Sequence, residues 1–110
     1  MLEEVRNEIK KVDEKIIEDI AQRMRLAEKI FDIKKRLGRD IYDEKQTKKV
    51  LNRVERYAAA KKLSSDDVKK IFEILIKMSI DKQRELNRKE KGKSVVSRRA
   101  SVEVGGRPRK

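Results

Sequence analysis

Apolar residues between Leu2 and Leu37 recur in alternating steps of three and four: Leu2, Val5, Ile9, Val12, Ile16, then the polar pair Asp19 and Arg23, then Leu26, Ile30, Ile33 and Leu37. This is the spacing of a heptad seam. With no Pro or Gly inside it, the stretch predicts one continuous helix of 36 residues, ended by Gly38. A second seam runs beside the first through Arg6, Lys10, Asp13, Ile17, Ile20, Met24, Ala27, Phe31 and Lys34. The apolar stripe is therefore wider than a coiled-coil strip, and the helix is expected to pack on more than one side. At ~1.5 Å per residue it is roughly 54 Å long, whereas a compact domain of this size has a radius of gyration of about 12–13 Å. The helix overhangs its own domain, and the same helix of a symmetry mate covers the overhang most economically.

Gly38 suits the C′ position, and Lys34, Lys35 and Arg36 in the last turn complement the helix dipole. After a short loop, Arg39–Tyr42, Asp43 reads as an N-cap with Gln46 completing a capping-box pattern. The second helix runs to about Lys61, with Val50, Leu51, Val54, Tyr57 and Ala58 as its apolar face, and breaks near Leu63. Ser64 or Ser65 caps a third helix that opens with Asp66 and Asp67. Its stripe is Val68, Ile71, Phe72, Leu75, Ile76, Ser79, Gln83 and Leu86. From about Arg88 the period stops, and glycines, serines and Pro108 appear among basic residues. The expectation is an all-α domain over 1–87, followed by a disordered basic tail over 88–110. Within that tail, Arg98-Arg99-Ala100-Ser101-Val102 resembles a substrate motif of basophilic serine kinases.

Composition narrows the chemistry. Neither Cys nor His occurs, so thiolate zinc sites, disulfides and the usual Ser-His and Cys-His arrangements are out of reach. No apolar run nears the ~20 residues of a membrane span and no signal-peptide core opens the chain, so a cytoplasmic protein is expected. The charged fraction of 47%, rich in Lys and Glu, is a composition often met in proteins of hot-living organisms. The net charge of +12 is uneven: residues 88–110 hold nine Lys and Arg against two acids, and residues 1–87 hold twenty-three against eighteen. With two Tyr and two Phe, the folded part lacks the aromatic interleaving of a base-stacking surface. Nucleic acid is expected to bind only nonspecifically, through the tail.

Arg23, Lys34, Ser79 and Gln83 are polar residues on stripes that should be buried. Two ordinary explanations stand beside a functional one: Arg23 pairs with Asp19 one turn earlier, and Ser79 and Gln83 form a hydrogen-bonded pair at a helix interface. Taken together, the four suggest a polar cavity inside a helical bundle. The stretches LEEVRNEIKKVDEKI with Arg6, AQR with Arg23, IKKRLGRDIYD with Lys34 and Asp43, and KMSIDKQ with Ser79 and Gln83 resemble the all-helical class of chorismate mutase over residues 1–87. The spacings of seventeen from Arg6 to Arg23, eleven to Lys34, nine to Asp43 and four from Ser79 to Gln83 follow that family's pattern. The resemblance implies an intertwined six-helix homodimer that rearranges chorismate to prephenate for aromatic amino acid biosynthesis, with no cofactor and no metal. It gives Arg23 and, from the partner chain, Arg6 the role of carboxylate clamps. Lys34 and Gln83 would donate to the ether oxygen, Ser79 would lie near a carboxylate, and the Asp43 region near the ring hydroxyl. The chain departs from the pattern at Gln46 and Thr47, where the family commonly has Arg and Glu. A relative of the same architecture, isochorismate-pyruvate lyase, is the alternative within the fold, and a basic helical nucleic-acid-binding dimer is the alternative outside it.

Helix geometry agrees with a shared site. Eleven residues are close to three turns, so Arg23 and Lys34 lie on one face about 16 Å apart at Cα. Arg6 is about 25 Å from Arg23 along the same helix and must come from a second chain. If two copies of the helix cross antiparallel with Arg6 beside the midpoint of Arg23 and Lys34, the crossing falls near Ile17. Two equivalent sites per dimer follow.

Overall fold

The computed structural model describes the backbone of residues 1–99 and the side chains of residues 1–90. Among these, the chain forms three α-helices: α1 (Leu2–Leu37), α2 (Glu44–Ala60) and α3 (Ser65–Arg99). The helix ends follow local chemistry. Gly38 adopts φ 67°, the left-handed conformation that a glycine takes without a Cβ penalty. There its N–H donates to Lys35 O (3.2 Å) while that of Arg39 donates to Lys34 O (2.8 Å), forming a Schellman turn. Asp43 Oδ1 accepts from Gln46 N at 3.1 Å and opens α2. The same kind of turn closes α2, with Lys62 at φ 61° and Leu63 N donating to Ala58 O at 3.0 Å. Ser64, rather than Ser65, caps α3, its Oγ accepting from Asp67 N at 3.3 Å. Ser65 Oγ instead donates to Glu55 O on α2 and ties the two helices together.

α3 packs against both α1 and α2. The buried apolar residues are Ala27 and Phe31 of α1 with Val50, Val54 and Ala58 of α2. All belong to the C-terminal part of α1 or the inner face of α2, so the core sits beside one end of the long helix. It is the second seam, through Ile20, Met24, Ala27 and Phe31, that turns toward the rest of the chain. The first seam stays open: Leu2, Val5, Ile9, Val12 and Ile16 are 51–62% exposed, and Leu26, Ile30 and Ile33 nearly half exposed. A radius of gyration of 19.0 Å matches an extended protomer in which α1 runs past its own core. Tyr57, expected on the apolar face of α2, is exposed instead.

One boundary differs from the sequence expectation. The sequence predicts a disordered tail from Arg88, whereas α3 continues as helix to Arg99. Loss of the apolar period removes a buried stripe without ending a helix, because Lys, Arg and Glu are themselves good helix formers. Past Arg88 the helix still meets α1 through a half-exposed Lys35–Glu90 ion pair at 2.5 Å, a contact worth at most about 1 kcal/mol. Residues 100–110, with Ser101 of the kinase-like motif, lie outside the described residues. No helix among the described residues is long and apolar enough to cross a membrane.

Candidate active site

The polar residues of the buried stripes converge. Arg23, Lys34, Asp43, Gln46, Thr47, Ser79 and Gln83 line one cavity of about 530 Å³ between the three helices, walled by Leu26, Ile30, Val50 and Ile76. α1 contributes Arg23 and Lys34, three turns apart on one face. The first two turns of α2 and their cap contribute Asp43, Gln46 and Thr47, and α3 contributes Ser79 and Gln83 one turn apart. Of the eight residues singled out in the sequence, the cavity lacks only Arg6. Arg6 sits on the overhanging part of α1, exposed and paired with Glu3 at 3.0 Å.

Neither ordinary explanation for these residues is realised. Asp19 pairs with Lys15 at 3.3 Å, while Arg23 has no carboxylate within ion-pair range among the described residues and lies over the Phe72 ring at 5.6 Å. Burial pushes the Arg23 guanidinium below its ordinary pKa, and the positive charge of Arg53 pushes it further the same way. Arginine remains charged at neutral pH, so Arg23 is a half-buried cation in need of an anion. Ser79 donates to Leu75 O at 3.1 Å, not to Gln83. Gln83 is 4% exposed, and its Oε1 is a buried polar atom without a hydrogen-bond partner among the described residues. Such a group costs about 1–3 kcal/mol unless something fills its bonding capacity.

Two residues are already engaged. Lys34 Nζ donates to Ile41 O at 2.6 Å, which holds the α1–α2 loop over the cavity and leaves the ammonium two further donors. Asp43 is the helix cap as well as a lining residue. One lining residue escaped the sequence reading: Arg53, on α2, faces the same cavity. It lies seven residues after Gln46, hence on the same side of the helix, and that spacing is the signal that could have found it. Three cations thus meet one carboxylate around a cavity with neutral donors at its α3 side. The arrangement suits a small molecule with more than one negative charge, held by guanidinium forks and contacted by an amide and an ammonium.

Residues 5–84 match the model of the family described as chorismate mutase type II. Over 75 residues the chain is 35% identical to a chorismate mutase of Methanocaldococcus jannaschii, an alignment covering 68% of this chain and 76% of that protein. The matched span takes in α1 from Val5, all of α2, and α3 through Arg84, so it encloses every residue of the cavity. With its three helices, its cavity and this match over most of its length, the chain belongs to the chorismate mutase type II family.

Proposed function

We propose that the chain converts chorismate to prephenate in an intertwined homodimer with two equivalent sites, each built from the cavity of one copy and Arg6 of the other. It would serve aromatic amino acid biosynthesis in the cytoplasm. The observation that carries the reading is the convergence of Arg23, Lys34, Ser79 and Gln83 on one cavity, with the Gln83 amide buried there and its oxygen without a partner among the described residues. The open first seam of α1 supports the dimer, since a row of half-exposed Leu, Val and Ile side chains along a helix calls for a partner surface.

The rearrangement is unimolecular and pericyclic, so the protein needs no nucleophile. It must hold a dianion in its compact reactive conformer and stabilise the negative charge that grows on the breaking ether oxygen. Arg23 and Arg6 of the second copy clamp carboxylates. Lys34, tethered to Ile41 O, presents a second N–H to the ether oxygen. Gln83 presents its amide NH₂ after a turn about its terminal torsion, which is broad and costs little. Ser79 Oγ, which donates to Leu75 O at 3.1 Å, would turn its hydroxyl to a substrate carboxylate at the cavity wall. Thr47, partly buried near the cap of α2, bonds the ring hydroxyl beside Asp43. The direct test follows the loss of chorismate absorbance with prephenate and pyruvate assayed separately. Prephenate as the product supports the reading; pyruvate, or no turnover, overturns it.

A further inference from the structure

Resting on the mutase reading, we propose that Arg53 is a further substrate-positioning residue, holding a carboxylate of the dianion from the α2 wall of the cavity jointly with Arg23. On that wall Gln46, Thr47 and Val50 are neutral, and Arg53 is the one cation of α2 that lines the cavity. It shares a face with Gln46 and Val50 at helical spacings of seven and three. Its neighbours leave it unpartnered: among the described residues no carboxylate lies within ion-pair range of Arg53, Glu55 reaches Lys69 at 3.8 Å, and Glu44 reaches Lys48 at 4.0 Å. The charge of Arg53 is felt at Arg23, whose guanidinium it disfavours after burial has already done so. Two guanidiniums that repel each other beside one cavity are costly in the free protein and become favourable when an anion bridges them. A substrate with two carboxylates supplies that anion.

Arg53 also borders the apolar groove of Val54, Tyr57, Leu63 and Phe72 between α2 and α3, so the rival role is an ion pair with a second copy at the dimer interface. Progress curves on chorismate for the parent, Arg53→Ala, Arg53→Lys, Gln46→Arg and the double variant Gln46→Arg/Arg53→Ala, with light scattering at assay concentration, separate the two. Losing one charged contact made equally to substrate and transition state should raise KM by about tenfold to a hundredfold, with a smaller change in kcat and an unchanged mass. Arg53→Lys should recover part of the loss. A guanidinium restored at position 46, on the same wall, should shrink the penalty of Arg53→Ala, giving a non-additive cycle. An active parent whose KM is indifferent to Arg53→Ala overturns the proposal alone. So does a loss that tracks dissociation and disappears at high protein concentration. A parent that turns over no chorismate overturns the mutase reading, and with it the substrate assigned to Arg53.

Discussion

Gln83 combines three properties that a packing residue would not need: a neutral amide, near-complete burial, and an oxygen without a partner among the described residues. If its NH₂ meets the ether oxygen, the interaction strengthens as that oxygen gains charge, so the residue acts on turnover more than on affinity. Loss of one such donor costs about 10²–10³ in rate. Gln83→Glu keeps the shape but donates only when protonated. Its activity should appear at acid pH and fall as pH rises through the carboxyl pKa. A pH–rate profile checks this, and a variant as active at pH 8 as at pH 5 would show that Gln83 is not the donor. At this scale the sequence pointed to seven residues that share the cavity: Arg23, Lys34, Ser79 and Gln83 interrupt apolar stripes, Asp43 and Gln46 carry a helix-start pattern, and Thr47 entered through the family resemblance. Arg53 was not legible, since an arginine at the edge of the apolar face of a Lys- and Arg-rich helix interrupts no apolar stripe, although it lines the cavity.

The two helix C-termini share one backbone turn and differ in the residue at its left-handed position: Gly38 after α1 at φ 67°, Lys62 after α2 at φ 61°. A lysine Cβ in that conformation costs roughly 1–2 kcal/mol, part of which glycine would return as chain entropy in the unfolded state. Lys62→Gly should therefore stabilise by about 0.5–1 kcal/mol and raise Tm by a few degrees. Gly38→Ala should do the reverse, although the added Cβ meets nothing within 4 Å beyond its own chain neighbours, because the strain is in the backbone alone. Thermal melts at one fixed protein concentration check both signs, and a lower Tm for Lys62→Gly would contradict the account. The starts of α2 and α3 and the end of α1 were readable because Asp43, Ser64 and Gly38 mark them chemically. The continuation of α3 past Arg88 was not, since residues 88–99, rich in Lys and Arg, carry no apolar period from which to read a helix.

Among the described residues the protomer is an extended body whose buried apolar core, Ala27, Phe31, Val50, Val54 and Ala58, lies beside one end of a helix about 54 Å long. On the dimer proposed above, the open seam and the cavity are one problem: a second copy covering Leu2 to Ile17 would bring its Arg6 to the cavity of the first. The overhang was legible in the sequence as a length mismatch, whereas the burial that settles which seam faces inward required the packing of α3. The most direct test of a chorismate mutase site shared between copies is subunit complementation. Arg6→Ala and Arg23→Ala homodimers should each lack turnover, one for want of the second copy's clamp and the other for want of its own. Unfolded together and refolded as an equimolar mixture, they should form mixed dimers in which one of the two sites has both arginines. Activity should return to about one quarter of the parent's, since half the dimers are mixed and half of their sites intact. A refolded mixture as inactive as its components would contradict the shared site.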